Sequence, residues 1–388
     1  MQVYRKSAPS KPAKLLYVVN IPRFFVSHRL PLALAARAEG FDVQVAASDA
    51  DPESAERIAA AGLPFHPLPL SQHGLNPLRE LRTIFALRRL YKRLEPDLLH
   101  HVSIKPVIYG GIAAKLSRRR SVIQAMSGLG YLHVSEQRRA RLLEKLSRPA
   151  FKFALAGAGT VMIFQNPDDR HVFVMRGLVA AERTVVIRGS GVDEMEFAPR
   201  PEDRSGLPVV LFAGRLLWEK GVGEFVELAR RLKGQARFRV VGYEEPSSPS
   251  NVPAAQLQAW HEAGIIEWRG QQYDMARVFG ECNIVCLPST YGEGVPKVLI
   301  EAAACGRACV TTDTPGCREI VRHGANGLLV PPKDQDALRE AVKQLVEDPE
   351  LRRSYGAKGR EIALQAFTLR RVAEETIALY QSLLEGDR

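Results

Sequence analysis

Long apolar runs are missing from this chain of 388 residues. None approaches the eighteen or so needed to cross a bilayer as a helix, so no membrane span is predicted. Residues Met1 to Lys14 are polar and basic and lack the apolar core of a signal peptide, which leaves the chain expected in the cytoplasm. Cysteine is scarce. The five residues Cys282, Cys286, Cys305, Cys309 and Cys317 all lie in the C-terminal half, on apparent strands and a core helix, and predict reduced, buried thiols rather than a disulfide framework. Their Cys-x3-Cys spacings have the look of metal ligands, yet no nearby His completes a set on a loop, and no metal is predicted. Asp49 and Asp51 follow an early strand and read as a helix cap rather than a metal-binding pair. The glycine pairs at Gly128/Gly130, Gly157/Gly159, Gly189/Gly191 and Gly221/Gly223 never complete a strand, Gly-x-Gly-x-x-Gly and helix arrangement, which argues against a nicotinamide-dependent dehydrogenase. Zinc-finger, helix-turn-helix and aromatic RNA-binding motifs are also absent, so no nucleic-acid partner is predicted.

What is present reads as two soluble α/β domains. Hydrophobic residues make up 46% and charged residues 25%, ordinary for a globular protein with a real core. Apolar runs at Leu15 to Val19, Val43 to Ala47, Leu98 to His101, Val122 to Ala125 and Val161 to Phe164 alternate with helical patterns, which calls for parallel strands with crossover helices. The second half repeats the alternation at Val209 to Ala213, Phe238 to Val241, Ile265 to Arg269, Ile284 to Leu287 and Cys309 to Thr311. The predicted divisions are a flexible basic N-terminus over 1–13, a first domain over 14–195, a Pro-rich charged linker over 196–207, a second domain over 208–367 and a last helix over 368–388.

Charge is divided unevenly. Residues 1 to 200 hold 30 Lys plus Arg against 17 Asp plus Glu, and the remainder holds 24 against 26. The excess concentrates in Arg79 to Arg93, Lys115 to Arg120 and Arg138 to Arg148, the first and third with helical amphipathic patterning. Each alone fits a helix with its stripe in the core and its charges in water. All three in one domain point to an anionic membrane surface as a partner, at roughly 1 kcal/mol per nearby cation, and hence to peripheral binding on the cytoplasmic face of the inner membrane.

Two motifs carry the chemistry. In Thr290 to Glu301, Pro296 is placed as the first residue of a helix, so that Glu293 lies in the approach loop and Glu301 about one and a half turns inside. Gly292 and Gly294 let a ligand phosphate approach the backbone at a helix end that offers unpaired N–H groups. One carboxylate is suited to the two hydroxyls of a ribose and the other to those of a sugar. In Phe212 to Gly221, Gly214 ends a predicted strand, so Arg215 and Lys220 fall in the loop at its C-terminal end, where open α/β sheets bind ligands. A planar guanidinium and a mobile ammonium suit a diphosphate that gains charge as its bond to a sugar breaks. Either motif alone fits a solvated helix flank or a surface loop; together, in this order and spacing, they indicate a sugar-nucleotide site.

At these residues the sequence resembles the family 4 retaining glycosyltransferases, whose GT-B architecture sets two Rossmann-like domains face to face. Matching stretches run from Phe24 to Ala36, Ile163 to Asp169, Gly189 to Asp193 and Thr311 to Glu319, besides the two motifs, so the resemblance covers nearly the whole chain. It is closest in appearance to bacterial transferases that extend undecaprenyl-diphosphate-linked sugars, often with N-acetylhexosamine. The resemblance implies that Arg215 and Lys220 hold the donor diphosphate. Glu301 would bind the ribose, and Glu293, with the backbone of Gly294 and Val295, would face the transferred sugar, with Gly214, Gly292 and Pro296 also in the donor site. It implies catalysis by Arg215, Lys220 and Glu293 without metal or cofactor. It also implies a nucleotide-sugar donor, UDP rather than GDP, a polyprenyl-diphosphate-linked saccharide acceptor in O-antigen, capsule or glycoprotein oligosaccharide assembly, and a last helix that crosses back to the first domain.

The first domain is expected to bind the acceptor at its strand ends, through Asn20, Arg23, Phe24, His28, His101, Ser127 and Gly128. His28 reads as a helix-start residue in the cleft, and a structural histidine fits equally well. Many members of the family carry a histidine where this chain has Ser127, with His133 shortly after, so that role is not carried over. No carboxylate in the first domain is an obvious nucleophile. The family is instead thought to react on the front face, the leaving diphosphate taking the acceptor's proton. A sugar-nucleotide epimerase would share the architecture without needing an acceptor, and a non-catalytic membrane-bound scaffold would keep the basic face without needing all four of Arg215, Lys220, Glu293 and Glu301.

Overall fold

The computed structural model describes residues 11–71, 76–128, 148–203, 205–290 and 292–386. Most of the predicted N-terminal tail, His133, Tyr291 and all but the end of the third basic segment lie outside them. Two parallel sheets form, each from continuous apolar runs that need cover on both faces. The first comprises β1 (Lys14–Val19), β2 (Asp42–Ser48), β3 (Phe65–Leu68), β4 (Leu98–Val102), β5 (Val122–Ala125), β6 (Thr160–Phe164) and β7 (Thr184–Val186), in the order β3-β2-β1-β4-β5-β6-β7. The second comprises β8 (Val209–Ala213), β9 (Arg237–Val241), β10 (Glu267–Trp268), β11 (Ile284–Leu287), β12 (Ala308–Thr312) and β13 (Gly327–Val330), in the order β10-β9-β8-β11-β12-β13. In both, the first strand is central and the winding reverses beside it. The reversal opens a crevice at the strand C-termini between β1 and β4 and between β8 and β11.

Every predicted central strand is present. The departures are at the edges: β3, β7 and β13 were not predicted, and β10 is two residues where five were expected. An edge strand needs one neighbour only and is often kept short or interrupted, as by Pro67 in β3, so its sequence carries little pattern. Asp51 caps the helix Pro52–Ala60, its side chain accepting from the Ser54 N–H at 3.2 Å. All five cysteines are buried and unbridged, and burial pushes the Cys282 thiol up to about 12.

The helix Pro349–Ala366 packs on the second sheet. The next, Leu369–Gly386, returns to the first domain, where Val372, Ala373, Ile377 and Tyr380 complete its core. Burying side chains the size of Val372 and Ile377 contributes about 1.5–3 kcal/mol each. Tyr380 adds two hydrogen bonds inside the first domain, to the Tyr17 hydroxyl at 2.7 Å and to His100 Nδ1 at 2.6 Å.

The stretch predicted as a linker is stitched to the second domain. Arg360 donates to the carbonyls of Glu194 and Phe197, Arg307 to that of Arg200, and Arg352 pairs with Glu202 at 2.9 Å. The chain therefore crosses between domains at two neighbouring places, around Val192 and around Thr368. There the Val192 N–H donates to the Phe367 carbonyl at 2.9 Å and the Leu369 N–H to the Val192 carbonyl at 2.8 Å.

Candidate active site

The loop after β8 begins with Gly214 at φ +150° and carries Arg215, whose Nη1 lies 2.9 Å from Glu245 Oε2. A single 3-10 turn, Trp218–Lys220, follows and ends at Gly221 with φ +86°, where a Cβ would run into the Pro288 carbonyl. Only glycine fits there, and the turn it permits brings Lys220 across to the loop that precedes the helix Lys297–Ala304. Lys220 forms an ion pair with Glu293, whose carboxylate also accepts from Ser289 Oγ at 3.2 Å. Burial lowers the Lys220 pKa, and the Glu293 charge works against that shift.

Pro296 occupies the cap position, one residue before the helix proper. Glu301, on the helix, accepts from Lys297 Nζ at 2.6 Å. Burial nevertheless raises the Glu301 pKa, outweighing the Lys297 charge. Three cations, Arg215, Lys220 and Lys297, thus stand at the strand ends of the second sheet, each with a carboxylate partner. An arriving diphosphate would compete with those carboxylates for the cations.

The first domain grips the same loop from the other side. Gln165, directly after β6, accepts the Val295 N–H at 2.8 Å, and Asn166 Nδ2 donates to the Gly294 carbonyl at 3.3 Å. A Cβ on Gly128 would stand 2.5 Å from both the Gly292 oxygen and the Gly294 nitrogen. This corrects one expectation. The Val295 N–H, expected to face the transferred sugar, is already donated to the first domain, because β6 ends close enough to reach it.

The acceptor candidates divide into two groups. Arg23 lies 4.9 Å above the ring of Tyr243 in the second domain and 3.6 Å from Asp51, so it bridges the crevice. Phe24 stacks on His28 at 4.3 Å. His28 is the last residue of the helix Pro22–His28 rather than a helix start. Burial, then the charges of Lys297, Arg29, Lys220 and Arg215, hold its imidazole well below the ordinary value. Asn20 follows β1, its Oδ1 buried without a partner, and Ser127 and Gly128 follow β5 against the Gly292–Gly294 loop.

His101 does not join them. It is fully buried, with Nε2 2.9 Å from the Tyr91 hydroxyl and Nδ1 3.0 Å from Gln124 Oε1, and burial lowers it to about 4. β4 runs on to Val102, so both His100 and His101 sit inside the sheet, on opposite faces and each beneath a helical layer.

Sequence reasoning missed Gln165, Asn166, Tyr243, Glu245 and Ser289. Asn166 before Pro167 is a readable helix cap, and the i,i+4 spacing of Lys297 and Glu301 a readable pair. The Arg215–Glu245 pairing, across thirty residues, leaves no local pattern.

The two domains match two families in this order: "Glycosyl transferase 4-like" over residues 14–166 and "Glycosyl transferases group 1" over residues 194–362. One relative, the N,N'-diacetylbacillosaminyl-diphospho-undecaprenol alpha-1,3-N-acetylgalactosaminyltransferase of Campylobacter jejuni, is 29% identical over 351 residues, 86% of this chain and 90% of its own. Among solved structures, Anabaena HepE in complex with UDP-glucose superposes with a TM-score of 0.77 at 21% identity, over 95% of this chain and 99% of that one. Sucrose-phosphate synthase from Thermosynechococcus elongatus superposes with a TM-score of 0.77 at 20% identity, over 96% and 100%. The fold is GT-B and the protein is a glycosyltransferase. Each of the two family models matches less than half of the chain, and between them they span most of it.

Proposed function

We propose that the protein transfers a hexose or N-acetylhexosamine, with retention and without metal, from a UDP-sugar to a polyprenyl-diphosphate-linked saccharide in bacterial glycan assembly. The observation that carries the reading is the gathering of Arg215, Lys220, Glu293 and Glu301 around one glycine-rich loop at the strand ends of the second sheet. The C. jejuni relative is named for transfer to an undecaprenol-linked diphosphate sugar, and the Anabaena structure holds UDP-glucose, which supports both substrate classes.

In this reading the donor diphosphate takes Arg215 and Lys220 from their carboxylate partners. Glu293, released from Lys220, turns to the sugar, and Glu301 accepts the ribose hydroxyls. As the glycosidic bond lengthens, negative charge grows on the diphosphate oxygen, where fixed cations stabilise it more than they stabilise the ground state. That oxygen takes the acceptor hydroxyl's proton while the acceptor oxygen bonds the anomeric carbon on the face the diphosphate leaves, so the anomeric configuration is kept. Three cations beside the loop supply the charge that a metal supplies in other transferases. His28, whose imidazole feels the charges of those cations, hydrogen-bonds the acceptor in this reading. The basic first domain holds the enzyme against the anionic cytoplasmic leaflet.

The test is transfer by the purified protein from a panel of UDP- and GDP-sugars to polyprenyl-diphosphate-linked mono- and disaccharides, read by mass spectrometry, with the product anomer assigned by NMR and the assay repeated in EDTA. The expected result is one added sugar from a UDP donor, the donor's anomeric configuration, and a rate unchanged by chelation. Nucleotide release or sugar epimerisation with no lipid product would overturn the acceptor assignment.

A further inference from the structure

The helix Pro77–Leu94 carries more apolar surface than its own packing uses. Thr83, Leu87, Leu90 and Tyr91 face inward, and the last three join the core beside β1 and β4. That stripe satisfies the ordinary requirement of an amphipathic helix. A second apolar row faces out: Leu78, Leu81 and Phe85 are 79%, 49% and 56% exposed. Their i, i+3, i+7 spacing sets them on one side over about two turns, roughly 10 Å.

On the helix itself, the exposed charges beside this row have one sign. Arg79, Arg82, Arg89, Lys92 and Arg93 are exposed. The helix has a single acidic residue, Glu80, which is turned inward and paired with Lys105 at 2.8 Å. Glu95 lies past the helix end, 3.8 Å from Arg119. The N-terminal half of the outer face is therefore apolar with arginines beside it, and the C-terminal turns are cationic. A water-facing helix gains nothing from an exposed apolar row, whereas a bilayer interface takes up both parts, acyl chains around the row and anionic headgroups around the cations.

Topology sets where the row lies. β3 ends at Leu68 at the crevice edge of the first sheet, and the helix runs back from that edge to the start of β4. Its first turns are tied there by Lys105, which follows β4 and also donates to Ser71 at 2.9 Å. The apolar row thus stands on the crevice side of the domain and the cationic turns stand away from it.

We propose that Leu78, Leu81 and Phe85 insert into the acyl boundary of an anionic bilayer while Arg89, Lys92 and Arg93 lie on its headgroups. This inference rests on the membrane part of the proposed function and adds the contact and its orientation. Docked this way, the crevice opens toward the membrane surface, and a diphosphate-linked acceptor reaches it without its lipid leaving the bilayer.

The test uses the full chain with vesicles of phosphatidylglycerol and phosphatidylcholine in equal parts, in a flotation assay at low and at high salt. The triple variant Leu78→Ser, Leu81→Ser, Phe85→Ser changes only exposed positions, and its fold is checked by circular dichroism. It is expected to lower the vesicle partition coefficient at least about tenfold, most clearly at high salt, where the charges are screened. A separate Phe85→Trp variant is expected to shift its emission to the blue and to be quenched by brominated acyl chains. Wild-type binding retained in full by the triple variant would overturn the insertion row and leave electrostatic docking standing. Failure of the wild type to float at all would overturn both. A wild-type dimer in light scattering that the triple variant dissolves, without any emission shift on vesicles, would assign the row to a second copy of this chain and overturn the membrane contact.

Discussion

Gln165 of the first domain accepts a hydrogen bond from the Val295 N–H of the second, at 2.8 Å, with both residues buried. The loop that carries Glu293 is therefore positioned partly by the domain opposite its own. In Gln165→Leu the Val295 N–H loses its partner, at a cost of about 1–3 kcal/mol to the contact between the domains. Turnover is expected to fall by about tenfold or more, with a smaller effect on nucleotide binding by the second domain. Steady-state kinetics and calorimetry with UDP read the two effects. Equal losses in both would show a general structural lesion instead.

Lys220→Ala is expected to lower turnover by about tens- to thousands-fold, the range seen when a group that stabilises developing charge is removed. The KM for the donor should change much less. Unchanged turnover would remove Lys220 from the catalytic set.

Glu301→Ala is expected to weaken UDP binding by about ten- to a hundredfold, the loss of hydrogen bonds to a charged acceptor. Inorganic diphosphate, which has no ribose, should bind with little change. Calorimetry with the two ligands separates loss of the ribose contact from damage to the helix Lys297–Ala304.

Asp169 is buried beside the domain seam, and burial raises its pKa from 3.8 to about 7 against the opposing Asn166 hydrogen bond, with Asp168 adding to the rise. The folded state favours the protonated acid. Its contribution to stability is present at low pH and is lost as pH rises through about 7. Between about pH 5 and about pH 8 the wild type should lose more thermal stability than Asp169→Asn. Matched losses in differential scanning calorimetry would show that Asp169 does not titrate in this interval. Asn166 Nδ2 serves both Asp169 and the Gly294 carbonyl, so this proton also bears on the seam.

How far the sequence could be read depended on how local each signal was. Central strands such as β1 and β8 need apolar residues on both faces and announce themselves, whereas β7 and β13 need one neighbour and do not. Glu293, Glu301, Arg215 and Lys220 were readable because two short motifs hold them, and the glycines beside them mark where the backbone must turn. The second-domain attachment of residues 196–207 was not, since it depends on three arginines more than a hundred residues downstream. His101 was misplaced by reading β4 one residue short, enough to mistake a residue within a strand for one at its mouth. The apolar row at Leu78, Leu81 and Phe85 was hidden for another reason: a helix with two hydrophobic sides looks, in sequence, like one with a broad core stripe.

The two chain crossings at Val192 and Thr368 are bonded to each other along the backbone. A single tether would leave the domains free to twist, tilt and slide. Two crossings clipped together act as a pinned leaf, which bends easily about the line through the pair and resists twist and shear. Any movement of one half against the other would then be confined close to one arc, which would keep Gln165 and Val295 in the alignment of this structure.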